Sequence, residues 1–248
     1  MSKTIAITGA ASGIGKAATR RLASQGWEVF ALDVARIAAA PNVTPLNCDV
    51  SDAASIATAF ERIAARAPKL DALICCAGIL RIGPMAEMAV EEFDRVFAIN
   101  TRGTWLCAKA AFPLLKAAAR PEAPARVVLL SSVAALRPKV SSGAYAASKA
   151  AVSHLTRVIA VEWAEHGILV NALAPGTVDT PMIHAVSDPA KAGRYRPSGV
   201  SPVGRIATAD DVVDVVGFLL GDAARYVTGT TIPVDGGTQA AFVPPQGD

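Results

Sequence analysis

The stretch Thr8-Gly-Ala-Ala-Ser-Gly-Ile-Gly15 decides how the rest of the chain is read. It ends an apolar run that begins at Thr4 and opens a segment of helical periodicity that reaches Gln25. Glycine is needed where a backbone turns tightly and where amides must approach an anion with no β-carbon in the way. A helix starting at such a turn adds unpaired N–H donors and partial positive charge, which suits a pyrophosphate. Glycines alone would be an ordinary turn, but strand, turn and helix in succession make a dinucleotide cradle. At the end of the next apolar run stands Asp33. A carboxylate there accepts hydrogen bonds from the adenosine ribose hydroxyls and repels a 2′-phosphate, so NAD is favoured over NADP. Val34 follows it rather than a basic residue, although Arg36 is near. The alternative is that Asp33 only caps the loop behind it.

Outward from this turn, short apolar runs alternate with longer alanine-rich segments, the rhythm of βαβ units. The pattern predicts strands over 4–8, 28–33, 44–48, 72–76, 126–131, 168–174 and 231–234. It predicts helices over 13–25, 51–67, 90–116, 144–166 and 209–221. The run Val127-Val-Leu-Leu130 is apolar throughout, as a parallel strand buried on both faces must be. With 248 residues, 52% hydrophobic and 18% charged, the chain can fill one large core, and it shows neither repeat nor linker. One α/β domain over 1–248 is therefore expected. Two segments break the rhythm. Residues 33–49 leave room for only a fragment of helix, and 181–205, sprinkled with proline, glycine and polar groups, read as a mobile loop. Residues 239–248 read as a tail, frayed over Pro244-Pro-Gln-Gly-Asp248.

A formal charge of +3, with Arg20-Arg21 as its longest basic cluster, argues against a nucleic-acid partner. No apolar run reaches membrane-spanning length and no secretory pattern opens the chain, so a cytoplasmic location is expected. Cys48, Cys75, Cys76 and Cys107 lack C-x2-C spacing and nearby histidines, which argues against a metal site. The adjacent Cys75 and Cys76 are read as reduced packing residues, with redox regulation as the alternative; a disulfide between neighbours is strained.

The second half contains Ser142-Gly-Ala-Tyr-Ala-Ala-Ser-Lys149 at the start of a helix. Tyr145 and Lys149 lie four apart, on one helical face. A phenol of ordinary acidity is a poor base at neutral pH. An ammonium about 5 Å away, at an effective dielectric of roughly 20, favours the phenolate by about 3 kcal/mol, or about two pKa units. Such a tyrosine serves as general base for an alcohol proton. Upstream, the strand ending Leu130-Ser-Ser132 supplies hydroxyls that could hold the substrate oxygen. Taken singly, each feature is also an ordinary surface or core pattern.

In combination they are not ordinary. The chain closely resembles the short-chain dehydrogenase/reductase family over essentially its full length. The resemblance is carried by Thr8-Gly-x3-Gly-x-Gly15, Asp49-Val50, Ala77-Gly78, Asn100-x2-Gly103, Ser132, Tyr145-x3-Lys149, Pro175-Gly176 with Thr180, and Val234-Asp-Gly-Gly237. It implies a single-domain Rossmann fold, a doubly wound parallel sheet of about seven strands with helices on both faces. It implies a catalytic tetrad of Asn100, Ser132, Tyr145 and Lys149. Ser132 would orient the substrate oxygen, Tyr145 exchange its proton, and Lys149 hold the nicotinamide ribose and acidify Tyr145. Asn100 would bend its helix and hold a water of a proton relay. Cofactor contacts would come from Gly9, Ser12, Gly13, Ile14, Gly15, Asp33, Asp49, Val50, Cys76, Ala77, Gly78, Tyr145, Lys149, Pro175, Gly176, Val178 and Thr180. Where this family usually has Asn-Asn-Ala-Gly, the chain has Cys75-Cys-Ala-Gly78.

The implied reaction is reversible hydride transfer between a secondary alcohol and its ketone, with nicotinamide as carrier. An NADP-dependent reductase and a catalytically silent dinucleotide sensor are the alternatives. Local likenesses to dihydrodiol dehydrogenases and to hydroxy-acid or sugar-acid dehydrogenases imply a small polar or carboxylate-bearing substrate. Ser132, Tyr145, Arg81, Arg137, Lys139, Arg194 and Arg196 are its candidate contacts, each arginine or lysine having a solvated surface charge as its plainer reading. His184 and Tyr195 lie in the same loop, and Arg205 reads as structural. Residues 181–205 would form a lid over the substrate. Family members usually assemble as tetramers through the helices near Asn100 and Tyr145, here rich in alanine, so a homotetramer or homodimer is expected.

Overall fold

The computed structural model describes residues 2–186 and 199–240. The elements in chain order are β1 (Thr4–Thr8), α1 (Gly13–Ser24), β2 (Glu28–Asp33), β3 (Val43–Asn47), α2 (Ala53–Arg66), β4 (Ala72–Cys75) and α3 (Val90–Phe97). A π-helical turn (Ala98–Gly103) leads into α4 (Thr104–Ala118), β5 (Ala125–Leu130), a 3-10 turn (Val133–Ala135) and α5 (Gly143–Ala164). There follow β6 (Ile168–Pro175), α6 (Pro181–Val186), α7 (Ala209–Leu220) and β7 (Thr231–Val234).

All seven strands run parallel in the order β3-β2-β1-β4-β5-β6-β7. Period-two alternation feeds two cores. In β1, Ala6 joins a core covered by α2, α4 and α5, while Ile5 and Ile7 join one covered by α1 and α7. In β5, Val127 and Leu129 face the first core, Val128 and Leu130 the second. The chain winds outward one way through β1, β2 and β3 and the other way through β4 to β7. Between β1 and β4 the order reverses, and there the carboxyl ends of the strands part to leave a crevice.

The same alternation answers for the paired cysteines. Cys75 packs in the first core with Cys48 and Cys107, whereas Cys76 packs against the second, so their side chains leave opposite faces of the sheet. All four cysteines are free thiols.

Boundaries differ from expectation where side chains intervene. The third strand spans Val43–Asn47, one residue early. The second helix begins at Ala53 because the Asp52 carboxylate caps the Ala54 amide at 2.9 Å. The helix expected over 90–116 is broken by the π turn. The segment expected as a loop from Pro181 instead opens as helix α6, with proline at the first helical position, where its missing N–H has no partner to lose. Arg126, buried on β5, donates to the carbonyls of Ala224 at 3.0 Å and Gly221 at 3.3 Å and so ties the end of α7 to the sheet. No helix among the described residues is long and apolar enough to cross a membrane.

Candidate active site

The cradle is built by contact. A β-carbon on Gly15 would collide with the Gly9 carbonyl oxygen, so α1 starts directly against the turn. Asp33 closes the same turn: its carboxylate accepts from the Ala11 amide at 3.0 Å and the Ala35 amide at 2.9 Å. The capping reading of Asp33 is therefore correct as far as it goes. An ionised carboxylate offers about four acceptor sites, so two amides leave capacity for hydroxyl donors.

Gly9, Ser12, Gly13, Ile14, Gly15, Asp33, Asp49, Val50, Cys76, Ala77, Gly78 and Thr180 line one crevice of about 790 Å³. It runs into a smaller pocket of about 100 Å³ that adds Ser132, Tyr145, Lys149, Pro175, Gly176 and Val178. Every residue expected to touch the cofactor thus lies along one continuous groove. Asp49 is held below the usual carboxylate range by hydrogen bonds from the Ser51 hydroxyl at 2.7 Å and amide at 2.8 Å. Burial raises the Cys76 thiol to about 12, so the cysteine in this groove is a protonated wall. Arg95 of α3 and Met182 of α6 also line the crevice; nothing in the sequence pattern marks them, because their direction depends on how α3 and α6 dock.

At the junction Lys149 is 4% exposed, and its Nζ donates to the Leu130 carbonyl at 2.6 Å. Its Nζ lies 6.0 Å from the centroid of the Tyr145 ring. Burial pulls its pKa down to about 8, against nearby Cys76 and Cys75, which act the other way. Burial therefore makes this ammonium hold its proton less firmly than a solvated lysine does.

Asn100 sits in the π turn, fully buried. Its Oδ1 accepts from the Ile79 amide at 2.8 Å, while Nδ2 donates to the Ile79 carbonyl and the Ser148 hydroxyl, each at 3.0 Å. Ser148 passes the connection on to the Tyr145 carbonyl at 2.7 Å. The helix loses its α-helical regularity at Asn100, whose side-chain amide is occupied in stitching the loop after β4 to α5. A relay water on this residue would have to be held by main-chain atoms. The two serines after β5 also separate: Ser131 Oγ bonds the Lys149 carbonyl and Ser153, whereas Ser132 caps the 3-10 turn and faces the pocket.

Beyond Ser132 and Tyr145 opens a second cavity of about 320 Å³, with Arg137 and Lys139 in its wall. Arg81 does not line it. Its Nε pairs with Glu92 in the first turn of α3 at 3.3 Å, and Nη1 donates to the Leu80 carbonyl. Arg81 thus lies away from this cavity and ties the loop after β4 to α3. Arg205 forms a two-pronged pair with Asp211, at 2.6 Å for each contact, as its structural reading requires. His184 pairs with Asp179 at 2.6 Å. Arg194, Tyr195 and Arg196 lie outside the described residues.

A protein-family profile described as Enoyl-(Acyl carrier protein) reductase matches residues 9–239. The cis-4-hydroxycyclohexanecarboxylate dehydrogenase of Sinomonas cyclohexanicum is 37% identical over 244 residues, covering 94% of this chain and 95% of that one. A solved 3-ketoacyl-(acyl-carrier-protein) reductase from Brucella melitensis, complexed with NADH, superposes with a TM-score of 0.86 at 28% identity, covering 96% of this chain and 98% of that one. ElxO with NADP bound superposes with a TM-score of 0.86 at 26% identity, covering 97% and 100% of the two chains.

Proposed function

The chain belongs to the short-chain dehydrogenase/reductase family and is an NAD(P)-dependent oxidoreductase acting on CH–OH groups; from that premise we propose that it uses NAD to interconvert a small, polar, carboxylate-bearing secondary alcohol and its ketone. The observation that carries this reading is the junction where Ser132, Tyr145 and Lys149 meet the glycine-lined groove. The groove fits a dinucleotide because Gly15 and the Gly9 carbonyl stand where any side chain would block the turn. When bound, the nicotinamide accepts or returns the hydride.

The protein's part is to position and to move a proton. Ser132 donates to the substrate oxygen and fixes its orientation. Tyr145 takes the alcohol proton, or returns it to the ketone. Lys149 favours the phenolate while charged, and its location beside the pocket suits contact with the ribose. Asn100 acts one step back, by fixing α5 through Ser148. Asp33 supports NAD, since a 2′-phosphate would meet its negative charge. The NADP-bound neighbour supports the second reading, an NADP-dependent reductase. The named substrate of the Sinomonas relative supports a ring alcohol bearing a carboxylate. Of the segment 181–205 expected as a lid, 187–198 lie outside the described residues; α4 with α5 are read as the surface of a dimer or tetramer, which light scattering of the purified protein tests. The main test is NADH formation across hydroxy acids, cyclic diols and sugar acids, repeated with NADP. Activity with NADP alone would overturn the cofactor assignment, and silence with every alcohol would overturn the reaction.

A further inference from the structure

The cavity beside Ser132 and Tyr145 has three chemically different walls. Ser132 and Tyr145 form the reactive one, and Leu80, Met182, Ile183 and Val200 form an apolar one. Arg137 and Lys139, just past the 3-10 turn, form the third. Among the described residues lining this cavity there is no aspartate or glutamate. Burial, and secondarily the charge of Arg137, hold Lys139 down to about 8.

The guanidinium is also aimed. Arg137 Nη1 donates to the Thr238 carbonyl at 2.8 Å. That carbonyl belongs to the turn after β7, which Asp235 closes by accepting from the amides of Gly237 at 3.0 Å and Gln239 at 2.7 Å. The exit of β7 therefore sets the direction of a side chain on the loop that follows the 3-10 turn. A planar fork of donors is the geometry that a carboxylate accepts in two prongs.

The geometry points to an anion clamp: Arg137 and Lys139 bind a carboxylate on a substrate whose apolar body fills the cavity and whose carbinol carbon faces Ser132 and Tyr145. This rests on the dehydrogenase reading above and narrows it. A cavity of about 320 Å³ lies at the small end of ligand sites, roughly 300–1,000 Å³, and holds a single ring or short chain. The apolar wall selects against a sugar acid, whose hydroxyls would be left without partners.

The test is calorimetric and needs no turnover. Protein saturated with NADH is titrated with cyclohexanecarboxylate and with cyclohexanecarboxamide, two ligands of one shape that differ in charge. Charge-assisted hydrogen bonds at a partly screened site predict roughly 30-fold tighter binding of the carboxylate. In Arg137→Gln/Lys139→Gln the ratio should fall below about threefold, and in Arg137→Lys/Lys139→Arg, which keeps both charges, it should recover most of the difference. Equal affinities, no binding of either ligand, or a preference that survives the glutamine pair overturns the clamp. Failure of NADH to bind, visible before either ligand is added, instead overturns the cofactor reading and takes the clamp with it.

Discussion

Replacing Lys149 by Met separates a buried charge from the packing around it. Lys149 is 4% exposed and its pKa falls from an ordinary 10.5 to about 8, chiefly through burial. The unfolded chain keeps the ordinary value. Below pH 8 both states are charged and the folded state bears the whole cost of burying an ammonium. Between pH 8 and 10.5 the unfolded chain holds a proton that the folded chain has lost, so stability rises with pH. At about 1.4 kcal/mol per pH unit, the group returns about 3 kcal/mol across that window. Lys149→Met removes the charge but also the donor to the Leu130 carbonyl, 2.6 Å away. An unpaired buried carbonyl costs about 1–3 kcal/mol, so near neutral pH the two effects offset and the variant should lie within about 2 kcal/mol of the parent. The decisive quantity is the tilt. Urea unfolding without cofactor, run on both proteins from neutral pH to above pH 10, should show the parent gaining on the variant by about 3 kcal/mol. Stability curves that stay parallel across that range would refute the depressed lysine.

Tyr145→Phe should lower turnover by at least about 10²-fold, the usual share of a general base, while leaving NADH binding nearly intact by fluorescence titration; activity within tenfold of the parent would sink the assignment. Asp33→Ser should weaken both cofactors through loss of the Ala11 and Ala35 contacts, yet shift the NADP-to-NAD ratio of kcat/KM by roughly tenfold or more as the repelling charge goes. An unchanged ratio would show that discrimination lies elsewhere. Asn100→Ala strips three hydrogen bonds made by a fully buried side chain and should cost about 3 kcal/mol in thermal or urea unfolding; a loss below about 1 kcal/mol would mean that packing alone holds the loop after β4.

The strands were legible because a parallel sheet buried on both faces demands continuous apolar runs, and Val127–Leu130 has no other comfortable home. The cradle and the Tyr145–Lys149 pair were legible because their chemistry depends on spacing along one turn or one helix. What stayed hidden depends on how separate elements meet. Arg81 and Arg137 look alike in sequence, but Glu92 claims the first while the turn after β7 steers the second. Lys149 reads as a lysine of ordinary acidity until the depth of its burial is known. Cys75 and Cys76 look like a pair until the pleat sends them apart. The π turn has no local signature either: Gly103 admits it by packing where a β-carbon would stand 2.5 Å from the Val50 carbonyl, and Asn100 holds it through the groups it bonds across the chain.

That turn works like an extra tooth in a gear. A π turn accommodates about one residue more than the α-helical turn it replaces. Rewinding 90–118 as one regular α-helix with every residue kept would be locally the more comfortable state. It would also rotate one half against the other by about 100°, the angle of one helical residue. Either Val96 would leave its fully buried site or Asn100 would swing away from Ile79 and Ser148. The irregularity is thus a phase correction, which lets one helix pack in register with two neighbours that disagree about its rotation.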